Sequence, residues 1–242
     1  MAAKKRTTAP AVDYSNAPET LEDHIFYGLD LTEEQKVFRD AIWNPEYDAV
    51  IVDACAGSGK TTVALATALM MVQYGRYDKI VYLVAGGVYE HKQGLLPGTL
   101  AEKSAPMYAP LYQACVRLGY DPDQIVANDD NILAQKAGNT FITASSNAYI
   151  RGTSFGEIDS PVIVIMDEVQ NYDLLSMKTA ISRINAGSKL IAIGHQGQID
   201  LKYKSDSAFP RLIQVFSEQP WVKICKLTKN FRGRVSALAD TL

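Results

Sequence analysis

The residues with the clearest chemical potential lie in one short run, Ala54-Cys55-Ala56-Gly57-Ser58-Gly59-Lys60-Thr61, with Thr62 behind it. Glycines let successive backbone N–H groups converge on an anion, and a helix opening near Lys60 adds the positive end of its dipole. The pattern G-x-x-x-x-G-K-[ST] is met except at its first position, where Ala54 stands. Alanine fits there if the residue needs no positive φ. Such a loop binds the phosphates of a nucleoside triphosphate, and ATP with Mg²⁺ is the expected ligand. Ala56, Gly57, Ser58, Gly59, Lys60, Thr61 and Thr62 are the candidate contacts. Lys60 is placed to reach the β- and γ-phosphates, and the Thr61 hydroxyl to ligate Mg²⁺. Cys55 reads as a small loop residue.

A second constellation ends a run of aliphatic residues, Val162-Ile163-Val164-Ile165-Met166-Asp167-Glu168. Carboxylates at the carboxyl end of a buried strand sit where open α/β sheets bind ligands. Asp167 is the candidate Mg²⁺ residue, directly or through water. Glu168 is the candidate general base for an attacking water. The second acid favours transfer to water over transfer to a small-molecule acceptor. Beyond the next strand, Gly194-His195-Gln196-Gly197-Gln198 offers an amide that could sense the γ-phosphate, with Gln198 preferred to Gln196. Near the end, Thr228-Lys229-Asn230-Phe231-Arg232-Gly233-Arg234 offers a guanidinium, Arg232 or Arg234, to stabilise charge on the transferring phosphoryl group. A plain cationic cap is the competing account of these arginines.

The elements that must hold these residues are legible in the hydrophobic pattern. Thr32 and Gln35 have capping-box spacing, with Val37, Phe38, Ala41 and Ile42 following at helical spacing and Pro45 ending the helix. Short, mostly continuous apolar runs follow at 49–52, 80–84, 141–143, 162–166, 190–193 and 222–227. Continuous runs of Val and Ile mark strands covered on both faces. Between them, 61–74 is apolar nearly all round, and 108–118 and 174–184 are further helices. Alternation of strand and helix predicts an α/β fold with a mostly parallel central sheet and helices on both faces. The stretch 86–139 is long for one connection and is expected to form an excursion with its own helix. Residues 1–20 read as a flexible tail and 21–242 as one domain.

Composition narrows the field. The net charge of −3 advertises no basic face, so any nucleic acid is expected in a local groove. Three scattered cysteines and three scattered histidines have no metal-ligand spacing, which argues against zinc and for reduced thiols in the cytoplasm. No apolar run reaches the roughly 18 residues of a membrane span, and the start lacks the apolar core of a signal peptide.

Taken together these residues resemble the PhoH family of P-loop ATPases over 31–242. The specific points are Ala56 through Thr61, Gly94-Leu95-Leu96-Pro97-Gly98 with Glu102-Lys103, Ala148-Tyr149-Ile150-Arg151-Gly152-Thr153, Asp167-Glu168-Val169-Gln170-Asn171, and Gly194 through Asp200. The family looks like the first motor domain of superfamily-one helicases, which implies a three-layer, RecA-like P-loop NTPase fold. By that likeness Gln35 is a candidate for reading the adenine edge, and Asn230-Phe231-Arg232 resembles the helicases' γ-phosphate arginine motif. Three positions depart from the family pattern: Ala54, His195 in place of an acid, and Ala85-Gly86-Gly87 in place of an Arg-Pro pair. Small members of the family resemble those carried by bacteriophages.

The resemblance implies a helicase-like motor acting on RNA or single-stranded DNA. Such helicases close ATP between two lobes; here the second wall is expected from another subunit, in a homo-oligomer, with a hexameric ring implied. Arg151 could serve a neighbour's nucleotide, a nucleic acid or the shape of its own loop. Tyr89, Tyr108, Tyr112 and Tyr149 are candidate stacking surfaces, with core packing the plainer account. Two other functions compete. One is an ATP-dependent oligomeric switch regulating a protein partner with slow turnover. The other is a small-molecule kinase, which the adjacent acids and the lack of a recognisable lid disfavour.

Overall fold

The computed structural model describes residues 17–21, 26–85, 105–127, 140–147, 150, 152–157 and 159–233. The first helix, α1 (Glu33–Trp43), opens on the expected capping box: Gln35 N donates to Thr32 Oγ1 at 3.3 Å, and Thr32 N donates to Gln35 Oε1 at 3.0 Å. It stops at Asn44, because Pro45 has no N–H to continue it. Its buried face carries Phe38, Ala41, Ile42 and Trp43.

Seven strands follow: β1 (Ala49–Ala54), β2 (Lys79–Val84), β3 (Val126–Ala127), β4 (Ile142–Ser146), β5 (Val162–Asp167), β6 (Lys189–Gly194) and β7 (Val222–Leu227). They form one sheet in the order β3-β4-β2-β5-β6-β1-β7, and every pairing is parallel. The central strands β5 and β6 are buried along their whole length, as continuous apolar runs predict. The other helices are α2 (Lys60–Gln73), α3 (Ala109–Arg117), the single turn α4 (Pro122–Ile125), α5 (Leu174–Ile181) and α6 (Phe209–Phe216).

Two apolar clusters flank the sheet and make three layers. One joins α1, α2 and α3 through Phe38, Trp43, Leu65, Leu69 and Leu111 to one face. The other joins α5 and α6 through Met177, Ala180, Phe209 and Leu212 to the opposite face. This is the α/β, RecA-like P-loop architecture that the pattern and the resemblance imply. All six expected strands are present. The edge strand β3 and helix α6 are additional, although Phe209, Leu212, Ile213 and Phe216 carry the helical period. Helix α5 is shorter than expected because Phe155 forms a parallel bridge with Ile184. Within 86–139, the described part supplies α3, α4 and β3. The tail residues 1–16 and the Leu-Pro-Gly element lie outside the described residues. Residues 17–21 lie against the core: Ala17 packs on it, Leu21 is buried, and Trp43 Nε1 donates to Pro18 O at 3.0 Å. No helix among the described residues is long and apolar enough to cross a membrane.

At the amino-terminal edge of the sheet, Lys189 is buried, and its ammonium donates to Asn44 O at 2.7 Å and to Tyr47 O. It thereby ties β6 to the end of α1. Burial, with Arg76 adding to it and Asp48 opposing, pushes its pKa down to about 8 from 10.5. The folded value is the lower one, so the unfolded chain binds more protons between these limits and stability must rise with pH there. The wild type is expected to gain up to about 3 kcal/mol relative to Lys189→Met between pH 7.5 and pH 10. Denaturant melts of both proteins at the two pH values measure that difference, in which other titrating groups cancel.

Candidate nucleotide site

A wholly parallel sheet delivers the carboxyl ends of all its strands to one edge, and the candidate residues gather there. β1 feeds the phosphate loop, β5 ends in Asp167, β6 leads into the loop bearing Gln198, and β7 leads into Asn230-Phe231-Arg232. β6 lies between β1 and β5, so the phosphate loop and the acids stand one strand apart.

The phosphate loop is shaped by backbone that only glycine accepts easily. Gly57 and Gly59 have φ of +68° and +79°. A Cβ on Gly57 would lie 2.7 Å from Arg232 Cγ and 2.8 Å from Asn230 Oδ1, and one on Gly59 would lie 3.0 Å from Gln35 Nε2. Ala54 is the last residue of β1 and has no positive φ, which is why alanine serves there. Gly59 begins α2 without a side-chain cap, so the first N–H groups of this 14-residue helix face the loop. Lys60 and Thr61 open the helix, and Thr62 lies in its first turn.

Thr61 Oγ1 donates to Asp167 Oδ2 at 2.9 Å. The same oxygen accepts from the Tyr82 hydroxyl, and Asp167 Oδ1 accepts from Glu168 N at 2.8 Å. Asp167 is fully buried, and burial, then the adjacent Glu168, raises its pKa, while Lys60 and the Tyr82 hydrogen bond oppose the rise. Burial and the Asp167 charge together hold Tyr82 well above the ordinary phenol range. Thr61 and Asp167 present hard oxygen donors side by side. That suits Mg²⁺, which takes one or two protein oxygens and fills its shell with water and phosphate. Among the described residues no cluster of three or more His, Cys, Asp or Glu forms a closed metal cage.

Glu168 has a left-handed backbone, with φ of +52°. For a non-glycine residue this costs about 1 kcal/mol. Its side chain lies between two groups: Oε1 is 3.3 Å from Lys60 Nζ, and Oε2 accepts from Gln170 Nε2 at 2.5 Å. The buried Gln170 amide also donates to Gln198 O at 3.1 Å and accepts from His195 N at 3.0 Å. One amide thus links the candidate base to the loop after β6. Gln196 is tied through N and Nε2 to Asp53 at 3.1 and 2.8 Å, while residue 198 is linked to Glu168, through Gln170, by its backbone carbonyl. Gln170 and Tyr82 received no role from the sequence. The only signals were a glutamine beside two acids and a tyrosine inside an aliphatic strand.

The rim opposite the acids is built from α1 and the segment after β7. Gln35 Nε2 donates to Ser58 O at 2.8 Å, so the capping glutamine braces the phosphate loop. Glu34 accepts from Thr228 Oγ1 and Thr228 N, both at 2.7 Å, and these hydrogen bonds lower its pKa. Phe231 N donates to Gly57 O at 3.0 Å, and Arg232 N donates to Asn230 Oδ1 at 2.7 Å. Arg232 therefore lies on the phosphate loop of its own chain. The Phe231 ring, 48% exposed, stands beside it with Lys229 Nζ 5.0 Å from its centre. Arg151, Arg234, Tyr89 and Tyr149 lie outside the described residues. Tyr108 is buried and Tyr112 packs against the core, so these two tyrosines are packing residues.

A family model described as PhoH-like protein matches residues 30–240. The chain belongs to the PhoH family. It is 28% identical to protein PhoH2 of Bacillus subtilis over 226 residues, which are 91% of this chain and 49% of that protein. It is 30% identical to protein PhoH of Escherichia coli over 188 residues, 77% of this chain and 50% of that one. The chain thus spans about half the length of these curated relatives. Similar solved structures include the large terminase of bacteriophage HK97, with a TM-score of 0.48, 14% identity, and coverage of 86% of this chain and 41% of that one. The Sulfolobus solfataricus SWI2/SNF2 ATPase core in complex with dsDNA has a TM-score of 0.46 at 12% identity, covering 83% and 45%. Within this PhoH domain the departure at His195 leaves the link to Gln170 intact, because that link uses the backbone N–H of residue 195. The departure at Ala85-Gly86-Gly87 begins at the end of β2, and its two glycines lie outside the described residues.

Proposed function

We propose that this PhoH domain binds ATP with Mg²⁺ and hydrolyses it, and that hydrolysis is coupled to RNA or single-stranded DNA. The observation that carries the reading is the Lys60–Glu168 pair. A phosphate-binding ammonium and a carboxylate lie 3.3 Å apart at the mouth of a glycine loop, where a γ-phosphate and its attacking water would meet. Lys60 draws charge from the γ-phosphate, and Glu168 accepts a proton from the water. The water oxygen bonds to phosphorus in line as the bond to the β–γ bridging oxygen breaks, releasing ADP and phosphate. Thr61 and Asp167 would hold the metal, which when bound neutralises charge on the phosphates. Arg232, on its own chain's loop, acts in cis on the same charge. Gln35 steadies the loop, and the Phe231 ring offers the base a stacking face. Gln198 reports phosphate occupancy through Gln170. A homo-oligomer, in the form of a hexameric ring, would supply the second wall of the site.

Steady-state ATP hydrolysis with and without single-stranded RNA and DNA tests the coupling. Stimulation of tenfold or more that falls steeply with added salt is the expected result. Tyr108 is buried and Tyr112 partly buried against the core, which removes two candidate stacking surfaces and leaves as the alternative a slow nucleotide switch acting on a protein partner. Unstimulated turnover with intact ATP binding would overturn the coupling and direct the search to a protein partner.

A further inference from the structure

Tyr82 is an unusual residue for the middle of a strand covered on both sides. β2 lies between β4 and β5, and its neighbours in the strand are aliphatic: Ile80, Val81, Leu83 and Val84. The ring is fully buried, so a leucine or phenylalanine would satisfy packing alone. Only its hydroxyl needs a polar partner, and that partner is Asp167 Oδ2. The register places Tyr82 opposite Ile165 and Val84 opposite Asp167, so the phenol reaches one step along the sheet to the carboxylate.

Asp167 is thereby held from three directions. Thr61 and Tyr82 donate to one oxygen, and Glu168 N donates to the other. Tyr172 makes the comparison within the same molecule. It too is buried near Asp167, yet its hydroxyl has no hydrogen-bond partner among the described residues. A buried phenol in this neighbourhood therefore does not reach the carboxylate merely by being close.

We infer that Tyr82 is a positioning residue for magnesium: its hydroxyl fixes the Asp167 carboxylate beside the Thr61 hydroxyl, and so sets the affinity of the nucleotide site for the metal. The inference rests on the ATP reading above. Hydrogen bonds to a metal-ligating carboxylate orient it, and losing one lowers metal affinity by roughly 10- to 100-fold.

The test is the binding of a fluorescent ATP analogue, followed by anisotropy, in EDTA and across a Mg²⁺ titration. Wild type, Tyr82→Phe and Tyr172→Phe are compared, with no turnover required. Tyr82→Phe is expected to raise the Mg²⁺ concentration at half-effect by roughly 10- to 100-fold, while its affinity in EDTA stays within about twofold. Tyr172→Phe is expected to match the wild type in both. The decisive quantity is the ratio of magnesium-dependent to metal-free affinity. A packing defect would lower both affinities together and leave the ratio unchanged, and an unchanged ratio overturns the inference. An equal rise in the midpoint for Tyr172→Phe also overturns it. Failure of the wild type to bind the analogue at all would instead strike the nucleotide reading itself.

Discussion

Glu168→Gln is expected to retain ATP binding and to lose at least about 100-fold in turnover. The carboxylate is the only acid at the mouth of the phosphate loop whose side chain lies beside Lys60, at 3.3 Å, among the described residues. Its partner in the same strand end, Asp167, is fully buried, accepts from Thr61, Tyr82 and Glu168 N, and is the residue assigned to the metal. The amide has the same shape as the acid, and its oxygen can still accept from Gln170, so the left-handed turn at 168 and its link to Gln198 should survive. What disappears is the basic lone pair. The charge disappears with it, and Lys60 is released from a competing anion, so ATP affinity should rise a few-fold. A fall in kcat with an unchanged or lower KM is the signature of a group used in the chemical step. Turnover within threefold of the wild type would place the general base elsewhere.

Much of this site can be read from local pattern. Gly57, Gly59, Lys60 and Thr61 sit in one turn, and Thr32 and Gln35 are three residues apart, so their geometry follows from short-range rules. The strands are legible because burial on both faces leaves continuous runs, and Asp167 is legible because it ends one. The missing parts depend on distant pairings. Tyr82 and Asp167 are 85 residues apart, and only the parallel register of β2 on β5 joins them. Gln170 is adjacent to the acids in sequence, but its meaning comes from His195 and Gln198, 25 and 28 residues on. Arg232 comes beside Gly57 only because β7 lies against β1, a pairing of segments more than 160 residues apart. Gln35, for which the resemblance implies contact with adenine, also braces Ser58 O with its amide and caps α1, and the bond to Ser58 spans 23 residues that no local pattern joins. Helix α6 had a readable period in Phe209, Leu212, Ile213 and Phe216, but Pro210 at its start resembles a loop signal.

Lys60→Ala is expected to lower ATP affinity by about 10- to 100-fold and to bring hydrolysis below detection. The lysine side chain is 12% exposed, so its ammonium works in a partly dry site where a charge acts more strongly than in water. Its only ion-pair partner among the described residues is Glu168, so binding of ATP amounts to an exchange of one anion for another. The substitution therefore does two things. It deletes the attraction to the β- and γ-phosphates, and it leaves an unneutralised carboxylate facing them. Removing that carboxylate as well should return part of the affinity. The double variant Lys60→Ala, Glu168→Gln is expected to bind ATP several-fold more tightly than Lys60→Ala alone while remaining inactive. The fold should be little affected, since Glu168 is 39% exposed on its side chain and can be solvated when its partner is gone. Lys60→Arg should not restore turnover, because a planar guanidinium cannot replace a compact ammonium in a loop closed by Gly57 and Gly59. Fluorescence titrations of all four proteins with ATP and ADP measure the effect. The loss should be larger for ATP, which alone carries the γ-phosphate. Equal losses for the two nucleotides would move Lys60 away from that phosphate, and with it the proposed position of the attacking water beside Glu168.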